Sequence, residues 1–451
     1  MTIQASTLEI KLGMEVYASS TRGIGGRIRS ELEDFIVEEV LLDGSKASVQ
    51  LRRDVCRVSG RGRYLICILI KKGWDTLTVI EKIARQIGIN LDMIGIAGIK
   101  DAQALTAQHI SIGAVSPEKI KTNLKGVHLI PTRFSEEKIS TKSLLGNQFD
   151  ITVRSISHSS QETERMISET WREISSLGGV PNFFGHQRFG TIRPITHMVG
   201  RLLLKERFEE AAMLFLSEPS EHEDPHARDA REYLRETCDF RSALKRFPKR
   251  LFYERLMLRY LSKYPRDFLG AFRRLPIRLR RLFVQAYQSY LFNKFLSTRM
   301  KQKIPLSYVQ EGDYVVNIGS KGLPTNSFTR VEEENLHSVI SEVEEGRMAL
   351  ALPVIGFDQQ ISSGAQGEIE REILERENVQ PQDFRIKRMP ECSVRGGLRK
   401  ALASIINLSF ETRPADEKSI AKFRFMLHKG SYATIVLREF MKPEDPISSG
   451  F

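Results

Sequence analysis

Strand-like text stands at both ends of this chain, and between the ends lies a long stretch that reads mostly as helix. Phe35-Ile36-Val37 and Tyr64-Leu65-Ile66-Cys67-Ile68-Leu69-Ile70 are rich in β-branched and aromatic residues, the composition of strands. Asp75 is placed to cap a helix whose apolar positions Leu77, Ile80, Ala84 and Ile87 keep helical spacing, with Gly88 to end it. His109-Ile110-Ser111-Ile112 and Phe149-Asp150-Ile151-Thr152-Val153 alternate as strands do, and residues 161–176 read as an amphipathic helix. The character changes at Gly178-Gly179-Val180-Pro181. From about 195 to 302 the text is helical and strongly charged, with one long candidate from Ile277 to Met300. Residues 303–365 read as short strands and turns, with a strand at Met348-Ala349-Leu350-Ala351-Leu352 stopped by Pro353; residues 366–378 read as helix. Strand text returns at 401–410 and 422–427, and 431–441 predicts a closing helix. An α+β start, a helical middle and an α+β return predict an α+β fold in which one domain interrupts another.

Charge narrows the function. The chain carries 68 Lys+Arg against 56 Asp+Glu, a net +12. That balance attracts polyanions, of which nucleic acid is the commonest in a cell. Lys245-Arg246-Phe247-Pro248-Lys249-Arg250 is one basic block, and Arg273-Arg274 with Arg278, Arg280 and Arg281 is another. Phe247, Phe252, Tyr253, Phe272 and Phe283 interleave with them, as core residues or as faces on which bases stack. No apolar run reaches the roughly 18 residues that span a bilayer, and Met1-Thr2-Ile3-Gln4 does not open a secretion signal. A cytoplasmic protein with no membrane partner is expected. Cys56, Cys67, Cys238 and Cys392 are scattered, which predicts reduced, mostly buried thiols. Neither metal-ligand spacing nor a nucleotide-cofactor motif occurs; Gly23-Ile24-Gly25-Gly26 lacks the third glycine of a dinucleotide fingerprint and reads as a turn. No metal and no cofactor are expected.

Three segments can carry chemistry. In Ala97-Gly98-Ile99-Lys100-Asp101-Ala102-Gln103-Ala104-Leu105-Thr106-Ala107-Gln108, one carboxylate stands in a glycine-bearing loop. Asp101 there is a nucleophile or base, or else a turn-former, which is the commoner use of Asp after Lys in a loop. Gly146-Asn147-Gln148-Phe149 opens a strand with an amide that can bond a base edge and an aromatic that can stack on one. Asn182-Phe183-Phe184-Gly185-His186-Gln187-Arg188-Phe189-Gly190 packs three phenylalanines around Arg188, a ligand for carboxylate or phosphate. His186 fits a hydrogen-bonded structural histidine better than a general base.

Together these segments resemble the TruD family of tRNA pseudouridine synthases. The family's A-G-x-K-D-x-x-A-x-T-x-Q pattern is met at every position of 97–108, its G-N-x-F element at 146–149, and its N-[YF]-F-G-x-Q-R-F-G element at 182–190. Weaker likenesses follow in family order. They are Asp34-Phe35-Ile36-Val37-Glu38-Glu39 to a D-F-x-V-x-E element, 286–293 to a helical element, 352–356 to a closing element, and 429–434 to a C-terminal one. The long insert is more like that of archaeal and eukaryotic members than of bacterial ones.

The resemblance implies a pseudouridine-synthase catalytic domain with a mixed, mainly antiparallel sheet, at 1–181 and 386–451. An inserted TRUD domain at 182–385, α/β-mixed and largely helical, interrupts it. It implies an isomerase whose RNA substrate is tRNA, typically uridine at position 13, with other RNAs as further targets. Asp101 is then the catalytic residue, attacking the sugar C1′ or abstracting the 2′ proton from a buried position. Asn147, Phe149, Lys100, Arg188, Phe184 and Gln187 are the expected substrate-binding residues, with no metal, no cofactor and a monomeric chain. A non-catalytic tRNA-binding protein of the same fold is the other reading of these motifs. A glycoside hydrolase is disfavoured, because it needs two carboxylates about the bond and 97–108 offers one.

Overall fold

Caps and alternation fall where the computed structural model has helices and strands, over the residues it describes: 4–51, 58–415 and 418–451. A short helix α1 (Thr7–Lys11) precedes strands β1 (Phe35–Leu41) and β2 (Tyr64–Lys72) and helix α2 (Thr76–Ile87). Asp75 accepts the Thr78 N–H at the start of α2, and Gly88 ends it in the left-handed region at φ 79°, where a side chain is disfavoured. Strands β3 (Ile94–Ile96), β4 (Leu105–Gly113), β5 (Val127–Ser135) and β6 (Leu144–Ile156) follow, then helix α3 (Ser160–Ser176) and the two-residue strand β7 (Val180–Pro181). The helical middle comprises α4 (Thr196–Leu204), α5 (Phe208–Ser217), α6 (Pro225–Thr237), α7 (Phe240–Arg246), α8 (Phe252–Leu261), α9 (Phe268–Arg273) and α10 (Ile277–Lys301).

Beyond α10 come β8 (Tyr314–Ile318), β9 (Pro324–Arg330), α11 (Leu336–Glu344), β10 (Met348–Val354) and α12 (Gly364–Arg376). Helix α11 stands where only short strands and turns were expected. Leu336, Val339, Ile340 and Val343 do keep helical spacing, but flanking acidic residues mask it. Nor does Pro353 stop its strand. The β8 ladder along β10 reaches only to Ala351, so Pro353 meets β11 alone and its missing N–H leaves no gap on the β8 side. The chain closes with β11 (Gly397–Lys400), β12 (Leu402–Ala403), β13 (Ile406–Ala415), β14 (Lys418–His428) and α13 (Ala433–Met441).

The central sheet runs β13-β14-β6-β1-β4-β2-β5, with β3 also paired to β4. Of the ladders between the strands of this sheet, β1–β4 is parallel and the others described are antiparallel, with one isolated parallel bridge from Ser59 to Arg133. Register aligns one row across it: Lys71, Thr106, Val37, Phe149 and Phe425. At the β2 end this face packs on α2, Leu69 and Ile110 meeting Val79 and Ile83. At the β14 end it packs on α3 and α13, Ile151 and Phe423 meeting Ile167 and Phe440. Between the two covers the loop after β3 crosses β1 and β4. A second sheet, β11-β10-β8-β9, lies beside the helices. Helix α10 is buried on two sides: Phe292 and Leu296 join the core of the sheets, while Phe283, Leu291 and Phe295 join a separate core built from residues 199–392. Burial on two sides explains why α10 shows only a partial apolar face in sequence.

Cys67 and Cys392 are buried and Cys238 is exposed; Cys56 lies outside the described residues. The turn at Gly23–Gly26 is a point of close approach, since a Cβ on Gly23 would come 2.3 Å from the Met441 carbonyl. No described helix is long and apolar enough to cross a membrane.

Candidate active site

Strand β4 has two partners on one edge. β1 pairs with Leu105–Ala107, and β3 takes over at Ile110–Ile112, so β1 and β4 part after Glu38. Parting strands leave backbone groups to satisfy. Glu39, fully buried, fills the fork: its Oε1 accepts the His109 N–H at 2.9 Å and its Oε2 accepts the Lys100 ammonium at 2.6 Å. Burial alone would raise the Glu39 carboxyl, but His109 and Lys100 outweigh it and hold the group below the usual carboxylate range.

The same loop is tied at three further points. Gln108 Nε2 donates to the Gly98 carbonyl at 3.0 Å, and the Lys100 N–H donates to Thr76 Oγ1 at 3.1 Å. Buried Lys71 donates to the carbonyls of Trp74 at 2.7 Å, Lys100 at 3.3 Å and Asp101 at 2.8 Å. Burial pulls the Lys71 ammonium down to about 8, against the opposing charges of Asp101 and Asp75. With its main chain fixed from beneath, Asp101 turns its carboxylate outward. That side chain is 44% exposed, not buried as expected, because everything that anchors the loop grips its neighbours and its backbone.

Arg29 faces the carboxylate, Nη2 3.4 Å from Oδ2. Its Nη1 donates to the Gly450 carbonyl at 2.6 Å, its guanidinium lies 4.1 Å from the Phe35 ring centre, and its Nε is buried without a partner. A backbone φ of +57° sets this aim, an uncommon conformation for a residue with a side chain. On β6, Asn147 sits across from Glu39 and Phe149 across from Val37. Asn147 Oδ1 is buried and has no hydrogen-bond partner, an open acceptor beside the fork. Phe149 is 6% exposed, its ring packed against Phe425 at 5.5 Å and Phe35 at 6.3 Å. It offers a base an edge and little free face, short of the full stacking surface expected.

Lys100 departs from the expected RNA contact, because its ammonium is spent on Glu39. Phe184, Gln187 and Arg188 gather elsewhere, and none bonds to Asp101, Asn147 or Phe149 among the described residues. The Phe184 N–H donates to Asn293 at 2.8 Å, Arg188 Nε to Ser289 at 3.1 Å, and Gln187 Oε1 accepts Thr434 at 3.2 Å. His186 is buried 3.4 Å from Glu9, in a structural setting. The basic blocks are exposed except for Arg280, which is largely buried and paired with Glu391; of the aromatics between them Phe247, Phe272 and Phe283 are core, and Phe252 and Tyr253 offer faces to solvent. Glu39 had a signal, as the last residue of the D-F-x-V-x-E pattern. Lys71 reads as a surface charge beside Lys72, and Arg29 has no local signal at all.

The family model for tRNA pseudouridine synthase D (TruD) matches residues 11–440. The chain belongs to the TruD family. A Methanosarcina mazei protein named "Probable tRNA pseudouridine synthase D" is 39% identical over 447 residues, covering 98% of each chain. A Thermococcus sibiricus protein of the same name is 39% identical over 431 residues, covering 94% of this chain and 97% of its own. The crystal structure of a Methanosarcina mazei TruD protein matches with a TM-score of 0.81 at 38% identity, covering 98% of this chain and 99% of that one. The TruD signature at 97–108 thus has a physical reading: Lys100 and Gln108 fasten the loop, and Ala104 is fully buried beneath it.

Glu39→Gln leaves the Lys100 ammonium buried without a counter-charge, and chemical denaturation should show a loss of about 3–5 kcal/mol. The pH dependence follows from the lowered Glu39 carboxyl. Its stabilisation is full above the ordinary carboxylate value near about 4.3 and is lost as pH falls through the lower folded value. The variant's acid-unfolding curve should lack that part of the wild-type slope.

Proposed function

We propose that this chain is a tRNA pseudouridine synthase and that Asp101 is its catalytic residue, acting on uridine at position 13. The observation that carries the reading is an outward-facing carboxylate on a pinned main chain, with Arg29 3.4 Å away and the unpaired Asn147 acceptor on the neighbouring strand. The reaction is an isomerisation: the N1–C1′ bond of uridine breaks, the uracil turns, and C5 bonds to C1′ while the C5 proton leaves and N1 gains one. Asp101 begins it by attacking C1′ or by removing the 2′ proton. Both routes need an ionised carboxylate beside the ribose, and the Arg29 guanidinium stands 3.4 Å from it. Asn147 Oδ1 accepts an N–H of the freed uracil, and the Phe35–Phe149 pair borders the base.

An exposed carboxylate on a rigid loop suits a nucleotide that leaves its stack to reach it. Extrusion costs a few kcal/mol, which phosphate contacts offset. The net charge of +12 supports a polyanionic partner. We read 1–181 and 386–451 as the catalytic domain and 182–385 as the insert, a division supported by the separate helical core. Strand β11, beyond 385, joins the insert's small sheet and makes the seam a shared one. Asp101, Arg29 and Asn147 come from one chain, which suits a monomer working in the cytoplasm, where tRNA is.

Asp101→Asn should bind unmodified tRNA as wild type does and form no pseudouridine, read by carbodiimide-based detection. Product from that variant overturns the assignment of Asp101; no product from wild type leaves a tRNA-binding protein instead. Lys71 sets a pH limit. Charged, it has three N–H donors for its three carbonyls; neutral, it has two. The single-turnover rate should fall as pH rises through about 8. Lys71→Met should be slower by about tenfold, the effect of a small misplacement at a reacting centre, and should lack that alkaline limb.

A further inference from the structure

Next to the segment 182–190 lies a cavity of about 290 Å³ whose wall contains Arg399, Lys400, His428 and Lys429 and no acidic residue. It opens where the two sheets meet. Arg399 and Lys400 end β11, His428 ends β14, and the β8–β9 turn closes over His428, so that a Cβ on Gly322 would come 2.7 Å from the imidazole.

The cations here lack carboxylates. Arg399 donates to the Asn182 carbonyl at 2.9 Å, Asn182 Oδ1 at 2.7 Å and the Gly430 carbonyl at 2.8 Å. Its guanidinium lies 4.1 Å from the Phe184 ring centre, and that of Arg188 lies 5.7 Å from the same ring. The Lys400 ammonium has no hydrogen-bond or ion-pair partner among the described residues; burial lowers it, and, after burial, its charge helps to hold the neighbouring His428 imidazole down. Burial brings Arg399 down to about 10 and lowers Arg188 and Lys400 as well. Partly buried cations with no counter-charge are unfavourable in the free protein and are relieved when an anion enters.

Position suggests which anion. His428 faces Gly146 across the β14–β6 ladder, and Leu427 faces Asn147. The cavity therefore starts at the end of β14 one ladder position along from Asn147, with the His428 side chain on the opposite face of the strand from Leu427. Its volume is near the lower limit of small-ligand sites, roughly 300 Å³, room for one nucleotide unit and not for a duplex segment. The geometry points to this cavity as a second RNA subsite, holding one backbone phosphate and its nucleoside beside the target uridine. It rests on the reading of the chain as an RNA-modifying enzyme and adds a place for the neighbouring nucleotide.

The test is filter binding of unmodified tRNA across a salt series. Lys400→Met should weaken binding about tenfold and make the log Kd against log salt slope shallower by about 0.7–0.9, one phosphate's worth. Its melting temperature should hold or rise, because a half-buried, unpaired charge is gone. Ser404→Glu, at the exposed rim of the cavity, should weaken binding at least as much by repulsion. Unchanged affinity and slope in both variants overturn the proposal. So does a collapsed melting temperature for Lys400→Met together with normal binding by Ser404→Glu. Binding is read without turnover. A chain that responds in this way yet forms no pseudouridine refutes the assignment of Asp101 and keeps the cavity; product with unaltered slopes does the reverse.

Discussion

The ion pair between Glu39 and Lys100 is the interaction on which the site depends. A sheet whose strand β4 changes partner along one edge must split, and the split exposes the His109 N–H and an opening between β1 and β3. One carboxylate closes it, bonding that N–H and the lysine that precedes Asp101. A buried pair of this kind contributes little net stability over an apolar filling, but it fixes one arrangement, since breaking it strands a charge. Here the arrangement it fixes is the course of the loop, and the course of the loop decides where the Asp101 carboxylate points.

Each residue of the fork and loop then has a separable task. Lys100, Gln108, Thr76 and Lys71 hold main-chain atoms or one another, and Asp101 is left with an unencumbered side chain. Arg29 alone approaches its carboxylate among the described residues, and does so from a left-handed backbone. Strain of that kind persists where surrounding structure enforces it; the Gly450 carbonyl and the Phe35 ring do so here. Anchoring is thus buried and the carboxylate is exposed, a division that suits an enzyme whose substrate is much larger than its active site.

Much of the fold was legible in the sequence. The caps of α2, the alternation of β4 and β6 and the length of α10 are local signals, and local signals survive in one dimension. Helix α11 was hidden by its acidic flanks, and Pro353 misled because strand position, not residue type, decides whether an N–H is missed. At the site, Asp101 and Asn147 stood out through their motifs. Lys71 and Arg29 did not, because their roles arise from strand pairing and a turn that bring distant segments together. The motif sets Lys100 beside Asp101 in sequence, yet the two point to different partners. Adjacent residues in an irregular loop share a backbone, not a direction.

A crystal structure of the Asp101→Asn variant bound to unmodified tRNA tests the central claim most directly. The account predicts an extruded uridine with its ribose C1′ or C2′ about 3–3.5 Å from the substituted side chain, an N–H of its uracil on Asn147 Oδ1, and the Glu39–Lys100 pair intact beneath. A uridine seated away from position 101, or a loop that abandons Glu39 to bind RNA through Lys100, would contradict it.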